Sequence, residues 1–243
     1  MIQTENTAIV LRHVNYRDND RMVTLLSPSR GRIDAIIRNC RKPKSHNLNS
    51  GELFALGDYM LHENGGHITV TSVRLIETFY PLRNNYDRLT CGIYLLNLAE
   101  AVAEPEQEQQ ELFMLLLHTL SRLTFSDQEW KPLLAGFLLH FSACQGFKPR
   151  LNHCVACGKT PDENEPLFFD AEEGGVCCSR CRTRRDQVPL ASRQLRWMRQ
   201  ALSVGSAGWV NSPEASAPFD LLRDYVERRL GRRIRSAAML PKE

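Results

Sequence analysis

Four cysteines in two knuckles, Cys154-x-x-Cys157 and Cys178-x-x-Cys181, constrain this chain more tightly than any other feature. Knuckles about 20 residues apart have the spacing of a zinc ribbon. Each tight turn presents two thiolates, and the two turns together close a tetrahedron around Zn²⁺. Gly158 follows the first knuckle, where a chain wrapping a metal often needs positive φ. Gly174 and Gly175 precede the second, and Phe168 and Phe169 supply a strand between them. A fifth thiol, Cys177, is an alternative ligand, but Cys178 and Cys181 have the better spacing. His153 reads as a neighbour, since four thiolates complete the site. A site of four thiolates is coordinatively closed, with no position for water or substrate. One structural Zn²⁺ per chain is therefore expected, as a staple for a small subdomain.

The chain has 243 residues, enough for one large domain or two to three small ones. Its apolar fraction of 42% is ordinary for a protein that buries a core, and a net charge of +3 says little about partners. The distribution of charge is more informative, because the basic residues are clustered. Of eight cysteines, five lie in the ribbon, while Cys40, Cys91 and Cys144 are isolated. The N-terminus has neither a basic n-region nor an apolar h-region, and no apolar run is long enough to span a bilayer. These features predict a reducing, cytoplasmic setting in which thiols are kept for metal.

Three blocks follow one another. Residues 1–80 read as β, with strand-like runs at 7–12, 22–26, 33–37, 59–62 and 67–73. Asn64-Gly65-Gly66 is a hairpin signal between the last two. Five short strands suit a small barrel, OB-like or SH3-like, and alternation does not choose between them. From about residue 85 to 146 the pattern is helical. Leu89, Ile93, Leu96 and Ala99 mark one face, Leu112, Leu116, Leu120 and Leu123 a second, and Trp130, Leu134, Phe137, Leu138 and Phe141 a third. The acidic link 103–110 reads as a solvated connection. Ser126-x-x-Glu129 resembles a capping box, yet Pro132 would then fall inside the helix, so a start near Glu129 is the alternative. The third block opens with the ribbon and returns to helix, with Leu195, Met198 and Leu202, then Phe219, Leu222, Val226 and Leu230, at helical spacing. A Pro/Ser/Ala loop, 211–218, joins these two helices. The expected organisation is an α+β chain, with a barrel domain at 1–80 and a helical domain at 81–243 that contains the ribbon at 150–186.

Basic residues gather in three places. Arg30, Arg32, Arg38, Arg41, Lys42 and Lys44 surround the end of a barrel strand and a loop expected to be mobile, and would track a phosphate backbone. Arg180, Arg182, Arg184 and Arg185 adjoin the second knuckle. The last helix carries Arg228, Arg232 and Arg235 among other arginines. Only Tyr16, Phe54 and Tyr59 are stacking candidates near the first cluster, which favours backbone contact over base readout. Catalytic signatures are absent: there is no phosphate-binding GxxxxGK[ST] loop, no GxGxxG, no HExxH and no GxSxG. His118 and His140 lie on apolar helices and read as core or boundary residues.

Several of these segments, taken together, resemble the bacterial RecO family over essentially the full length. The carriers are Tyr16-Arg17-Asp18-Asn19-Asp20-Arg21, Ser27-Pro28-Ser29-Arg30-Gly31 and the basic loop Arg38-Asn39-Cys40-Arg41-Lys42-Pro43-Lys44-Ser45. More specific still is Gly146-Phe147-Lys148-Pro149 with Cys154-x-x-Cys157-Gly158 and Gly174-Gly175-x-x-Cys178-x-x-Cys181. Asp18 stands where glutamate is usual. Asn39 replaces a glycine and is among the residues that best tolerate a left-handed backbone. The resemblance implies an N-terminal OB-fold, a helical bundle with an embedded zinc ribbon, and a non-enzymatic role. It also implies binding of single- and double-stranded DNA, annealing of complementary strands, and help in loading the RecA recombinase. The implied partners are RecR, RecF in many bacteria, and single-strand-binding protein. A zinc-ribbon scaffold or regulator without annealing activity is the alternative that sequence physics leaves open.

Overall fold

The computed structural model describes residues 2–205 and 217–241, so most of the 211–218 loop lies outside the described residues. Two compact units divide the chain: Met1–Phe125 with Ala238–Glu243, and Ser126–Ala237.

In the first unit, β1 (Ile2–Tyr16), β2 (Asp20–Ser27), β3 (Gly31–Ile37), β4 (Leu56–Asn64) and β5 (His67–Glu77) form a closed barrel of order β1-β2-β3-β5-β4. β1 pairs antiparallel with both β2 and β4, while β3 meets β5 in parallel. That order and that single parallel contact give the OB-like topology, the choice alternation left open. All five expected strands are present, each longer at one or both ends. Gly65 and Gly66, at φ 56° and 79°, make the two-residue turn that joins β4 to β5.

Alternation explains the barrel core. Ala8, Val10, Val23, Leu25, Ile33, Ala35, Ile37, Tyr59, Leu61 and Val70 form one buried cluster. Tyr59 donates from its hydroxyl to the carbonyls of Ser50 and Ala55, which satisfies the one polar atom it takes inside. A bulge in β1 between Val10 and Arg12 breaks the pairing with β2. Before it, Ile9 is fully buried on the face opposite Val10; after it, Val14 on that outer face is 47% exposed.

Helices α1 (Tyr86–Val102) and α2 (Gln110–Phe125) belong to this unit, α1 packing on β1 and α2 on β2. The expected stripe on α1 understates its burial. Thr90, Cys91, Tyr94, Leu95 and Leu98 are buried as well, whereas Leu89 and Ile93 are only half-buried. On α2 the expected stripe of Leu112, Leu116, Leu120 and Leu123 is buried.

The link between α1 and α2 exposes its acidic side chains, as expected, but its backbone is tied to the barrel. Arg32 N–H donates to Glu104 O, Gln109 N–H donates to Pro28 O, and Gly31 bridges Pro105. Gly31 must be glycine for this: φ is 63°, and a Cβ would lie 2.3 Å from Glu104 O and 2.5 Å from Gln107 O.

In the second unit, α3 (Trp130–Cys144) packs against α4 (Ser192–Ser203) and α5 (Phe219–Leu230). Every residue from 133 to 142 on α3 is buried. Glu129 is its N-cap, so no capping box from Ser126 forms. Pro132 falls in the first turn, where an N–H would have no intrahelical acceptor, so the missing donor costs nothing. His140 is buried and its Nε2 lies 3.1 Å from Ala201 O, the satisfied core histidine that its neighbours suggested. The ribbon forms a sheet of order β7-β6-β8, from β6 (Leu167–Asp170), β7 (Gly175–Cys178) and β8 (Val188–Leu190).

Candidate metal centre and nucleic-acid interface

The first knuckle is a hydrogen-bonded turn. Gly158 N–H donates to Cys154 O, Cys154 N–H donates to Lys159 O, and Gly158 has φ 73°. Val155 N–H donates to Val176 O, which pins this turn beside β7 and brings the two knuckles together. Gly175 permits the approach, since a Cβ there would lie 2.3 Å from Arg150 O.

The sulfurs of Cys154, Cys157, Cys178 and Cys181 all lie within 4.8 Å of one another, and Cys157 Sγ and Cys178 Sγ are 4.0 Å apart. Four sulfurs around a zinc ion at about 2.3 Å stand about 3.8 Å apart, while a disulfide needs about 2.05 Å. The spacing therefore fits a tetrahedral thiolate site, and all eight cysteines are unbridged. Burial alone would raise the Cys154 thiol. The N–H groups of Cys178, Cys157 and Ala156 directed at its sulfur outweigh burial and bring it down to about 6. Cys181 is pushed up to about 12 because its thiol hydrogen-bonds to the sulfurs of Cys178 and Cys157, which favours the protonated form. The four converging sulfurs could hold a metal ion, which would take the place of that proton.

Cys177 is not in the cluster. It follows Val176 on β7 and is fully buried; Gln187 Nε2 lies 3.8 Å from its sulfur, and burial pushes the thiol up to about 12. His153 is exposed and outside the cluster as well.

The basic residues fall into two groups. Arg30 is folded into the barrel: its side chain is 20% exposed and paired with Glu63 and Glu106 at 2.5 Å each. Arg32 pairs with Asp34 at 2.7 Å. Arg38, Arg41, Lys42 and Lys44 are exposed on the segment that follows β3. No carboxylate pairs with any of these four among the described residues.

The segment expected to be a mobile loop is a succession of hydrogen-bonded turns. N–H groups of Lys42, Ser45, Leu48, Ser50 and Glu52 each donate three residues back. Asn39 takes the left-handed conformation at φ 54°, as its type allows. Asn39 N–H donates to Asp20 Oδ1, Arg41 N–H to Asn19 O, and the Arg41 guanidinium to Asp18 O. These bonds bring the β1–β2 turn alongside and add Arg17, whose guanidinium lies 5.1 Å from the centre of the Tyr16 ring. Arg17 is too far from the others in sequence to be counted with them; only the strand pairing makes it a neighbour. Of the three stacking candidates, Phe54 and Tyr59 are buried, which leaves Tyr16.

The other two sequence clusters become one in the second unit. Arg184 is consumed structurally by Asp170 and Glu172. Arg228 of α5 reaches Asp186 of the ribbon at 3.1 Å, and the Arg229 guanidinium donates to Glu172 O. Arg182 lies over the Phe168 ring at 4.3 Å. Arg180, Arg185, Arg232 and Arg235 are exposed.

An OB-like barrel unit, followed in the same chain by a helical unit carrying a four-cysteine ribbon, defines a narrow class of two-unit proteins. The family model described as "Recombination protein O N terminal" matches residues 1–79, and "Recombination protein O C terminal" matches residues 83–238. The chain belongs to the RecO family of DNA repair proteins. It is 31% identical over 247 aligned residues, covering 99% of this chain and 96% of the relative, to a DNA repair protein RecO of Anaeromyxobacter dehalogenans. A DNA repair protein RecO of Symbiobacterium thermophilum is 30% identical, with coverage of 96% and 94%. One from Alkaliphilus metalliredigens is 34% identical over 74% of this chain and 72% of the relative. No helix among the described residues is long and apolar enough to cross a membrane.

Proposed function

We propose that this protein is a non-enzymatic recombination mediator that binds single- and double-stranded DNA, anneals complementary strands and assists RecA loading with RecR, and with RecF where present. Strands covered by single-strand-binding protein are its natural substrate, and the cytoplasm its setting. The observation that carries the DNA-binding part is the exposed run of Arg38, Arg41, Lys42 and Lys44, none paired with a carboxylate among the described residues, on turns anchored to a closed barrel. Such a run neutralises phosphates without reading bases. Arg30 and Arg32 support that surface from the barrel side, through their pairs with Glu63, Glu106 and Asp34. In the second unit, Arg232 and Arg235 beside Arg228 form a secondary surface for DNA or an acidic protein tail. The four cysteines hold one structural Zn²⁺ that joins the two knuckles, and the closed coordination gives the metal no catalytic part.

The deciding experiment is annealing of complementary oligonucleotides by the purified full chain without nucleotide, with bare strands and with strands covered by single-strand-binding protein. Annealing in both conditions supports the proposal. Tight DNA binding without annealing would replace it with a binding scaffold.

A further inference from the structure

Two turns meet where β3 ends, and one carboxylate joins them. The last pair between β1 and β2 is Tyr16 with Asp20, so Asp20 stands at the mouth of the β1–β2 turn. Its Oδ1 accepts from Asn39 N–H at 2.8 Å. Asn39 is the pivot of the segment after β3: Arg38 precedes it, Arg41 and Lys42 follow, and Lys42 N–H donates back to Asn39 O. Its φ of 54° is a left-handed backbone that asparagine tolerates but does not prefer, and the bond at its own N–H holds it there. Two further bonds join the turns, from Arg41 N–H to Asn19 O and from the Arg41 guanidinium to Asp18 O, both at 3.1 Å. Those acceptors are backbone carbonyls, which any residue would supply. The Asp20 carboxylate is the side-chain acceptor of the three, and so the one that a substitution can remove. No lysine or arginine is ion-paired with it among the described residues. By charge alone Asp20 opposes binding of a polyanion, because an uncompensated carboxylate repels the phosphates that its cationic neighbours attract. By its hydrogen bond it does the opposite.

We infer that Asp20 is a positioning residue for the DNA surface of the barrel. Its carboxylate meets no phosphate; it pins Asn39, so that Arg38, Arg41 and Lys42 are set in place before DNA arrives. A cation already held in its bound position loses less freedom on binding than one on a free loop. The same side chain therefore has two effects of opposite sign, and they are separable. Asparagine keeps the oxygen acceptor and removes the charge, whereas alanine removes both. This inference rests on the barrel being a DNA surface, and the test separates the two.

Binding of the full chain to a thymidine oligomer is measured over a range of salt. Asp20→Asn should bind about twofold more tightly than wild type, the effect of one charge removed from near a phosphate in water. Asp20→Ala loses the same charge, yet should bind about tenfold more weakly than wild type, because about one residue must be re-ordered on binding. Its salt slope should stay the same, since no cation is removed. Amide hydrogen exchange at Asn39 and Arg41 should accelerate in Asp20→Ala and not in Asp20→Asn. Equal gains in affinity for both variants would make Asp20 a repulsive charge and nothing more. A lowered urea midpoint in Asp20→Ala with wild-type affinity would make it a residue of stability alone. Either result, alongside weak binding by Arg38→Glu/Lys42→Glu, overturns the positioning role while the cationic surface stands. If Arg38→Glu/Lys42→Glu binds normally, the barrel surface itself is wrong and the positioning role falls with it. Should Asp20→Ala fail to fold, hydrogen exchange in the wild type decides: an Asn39 amide protected in the free protein supports the role, and one that gains protection only when the oligomer is added overturns it.

Discussion

At the scale of single residues, the ribbon depends on which sulfurs converge. On the proposed Zn²⁺ site, Cys154→Ser or Cys181→Ser should lower zinc content below the one ion per chain expected of the wild type and expose the ribbon to protease, because metal binding there would be folding free energy. Cys177→Ser should retain the ion, since that sulfur stands outside the cluster. Metal analysis of the three variants checks both halves, and loss of metal from Cys177→Ser would reassign a ligand. His140 makes a different kind of prediction. Burial holds its imidazole below the ordinary value of 6.5, partly offset by the bond to Ala201 O. The unfolded chain then binds the proton more readily than the folded one. Stability is full above pH 6.5 and declines as pH falls from 6.5 toward the lower folded value. Melting temperatures between about pH 7.5 and pH 5 should fall less steeply in His140→Gln than in wild type.

At the scale of elements, two positions have opposite expected outcomes. Gly31→Ala forces a Cβ against Glu104 O in a left-handed backbone and should cost about 2 to 4 kcal/mol in urea denaturation, from the conformational penalty plus the displaced link. The link between α1 and α2 would detach from the β2–β3 turn, and hydrogen exchange at Arg32 and Gln109 should accelerate. Pro132→Ala, by contrast, should change stability by less than about 0.5 kcal/mol, because the first turn of α3 needs no N–H from that residue. A helix beginning at Ser126 would place Pro132 in its interior, and the same substitution would then be markedly stabilising. One denaturation curve therefore distinguishes the two helix starts.

Over the whole molecule, the charge pattern separates residues that hold the structure from residues free to bind. Arg30 and Arg38 lie in one basic stretch, yet Arg30 is clamped by two carboxylates and Arg38 by none among the described residues. Arg30→Ala should therefore lower stability more than DNA affinity. Arg38→Ala/Lys42→Ala should do the reverse, reducing the slope of log affinity against log salt by about one for each phosphate no longer neutralised. Arg232→Glu/Arg235→Glu is the corresponding test for the second unit. A larger loss there than from Arg38→Glu/Lys42→Glu would move the principal DNA surface to α5 and the ribbon.

Much of this molecule was legible from local pattern. Five strands, the Gly65-Gly66 turn, the buried face of α2 and the ligand spacing of the ribbon depend on neighbours in sequence, and short-range periodicity and turn chemistry record them. A small barrel was legible, but alternation did not choose between OB-like and SH3-like closure, because β3 meets β5 in a parallel contact that alternation does not encode. The burial of α1 beyond one stripe, and the attachment of the acidic link to Pro28 and Arg32, depend on elements distant in the chain. So does the sorting of the arginines: Arg30 and Arg184 read as free cations until folding brings Glu63, Glu106, Asp170 and Glu172 beside them. Spacing along the chain determined where a metal could be held. Only the tertiary structure decided which charges remain unneutralised at the surface, because a charge is cancelled by whatever the fold places within a few ångströms, however far away it lies in sequence.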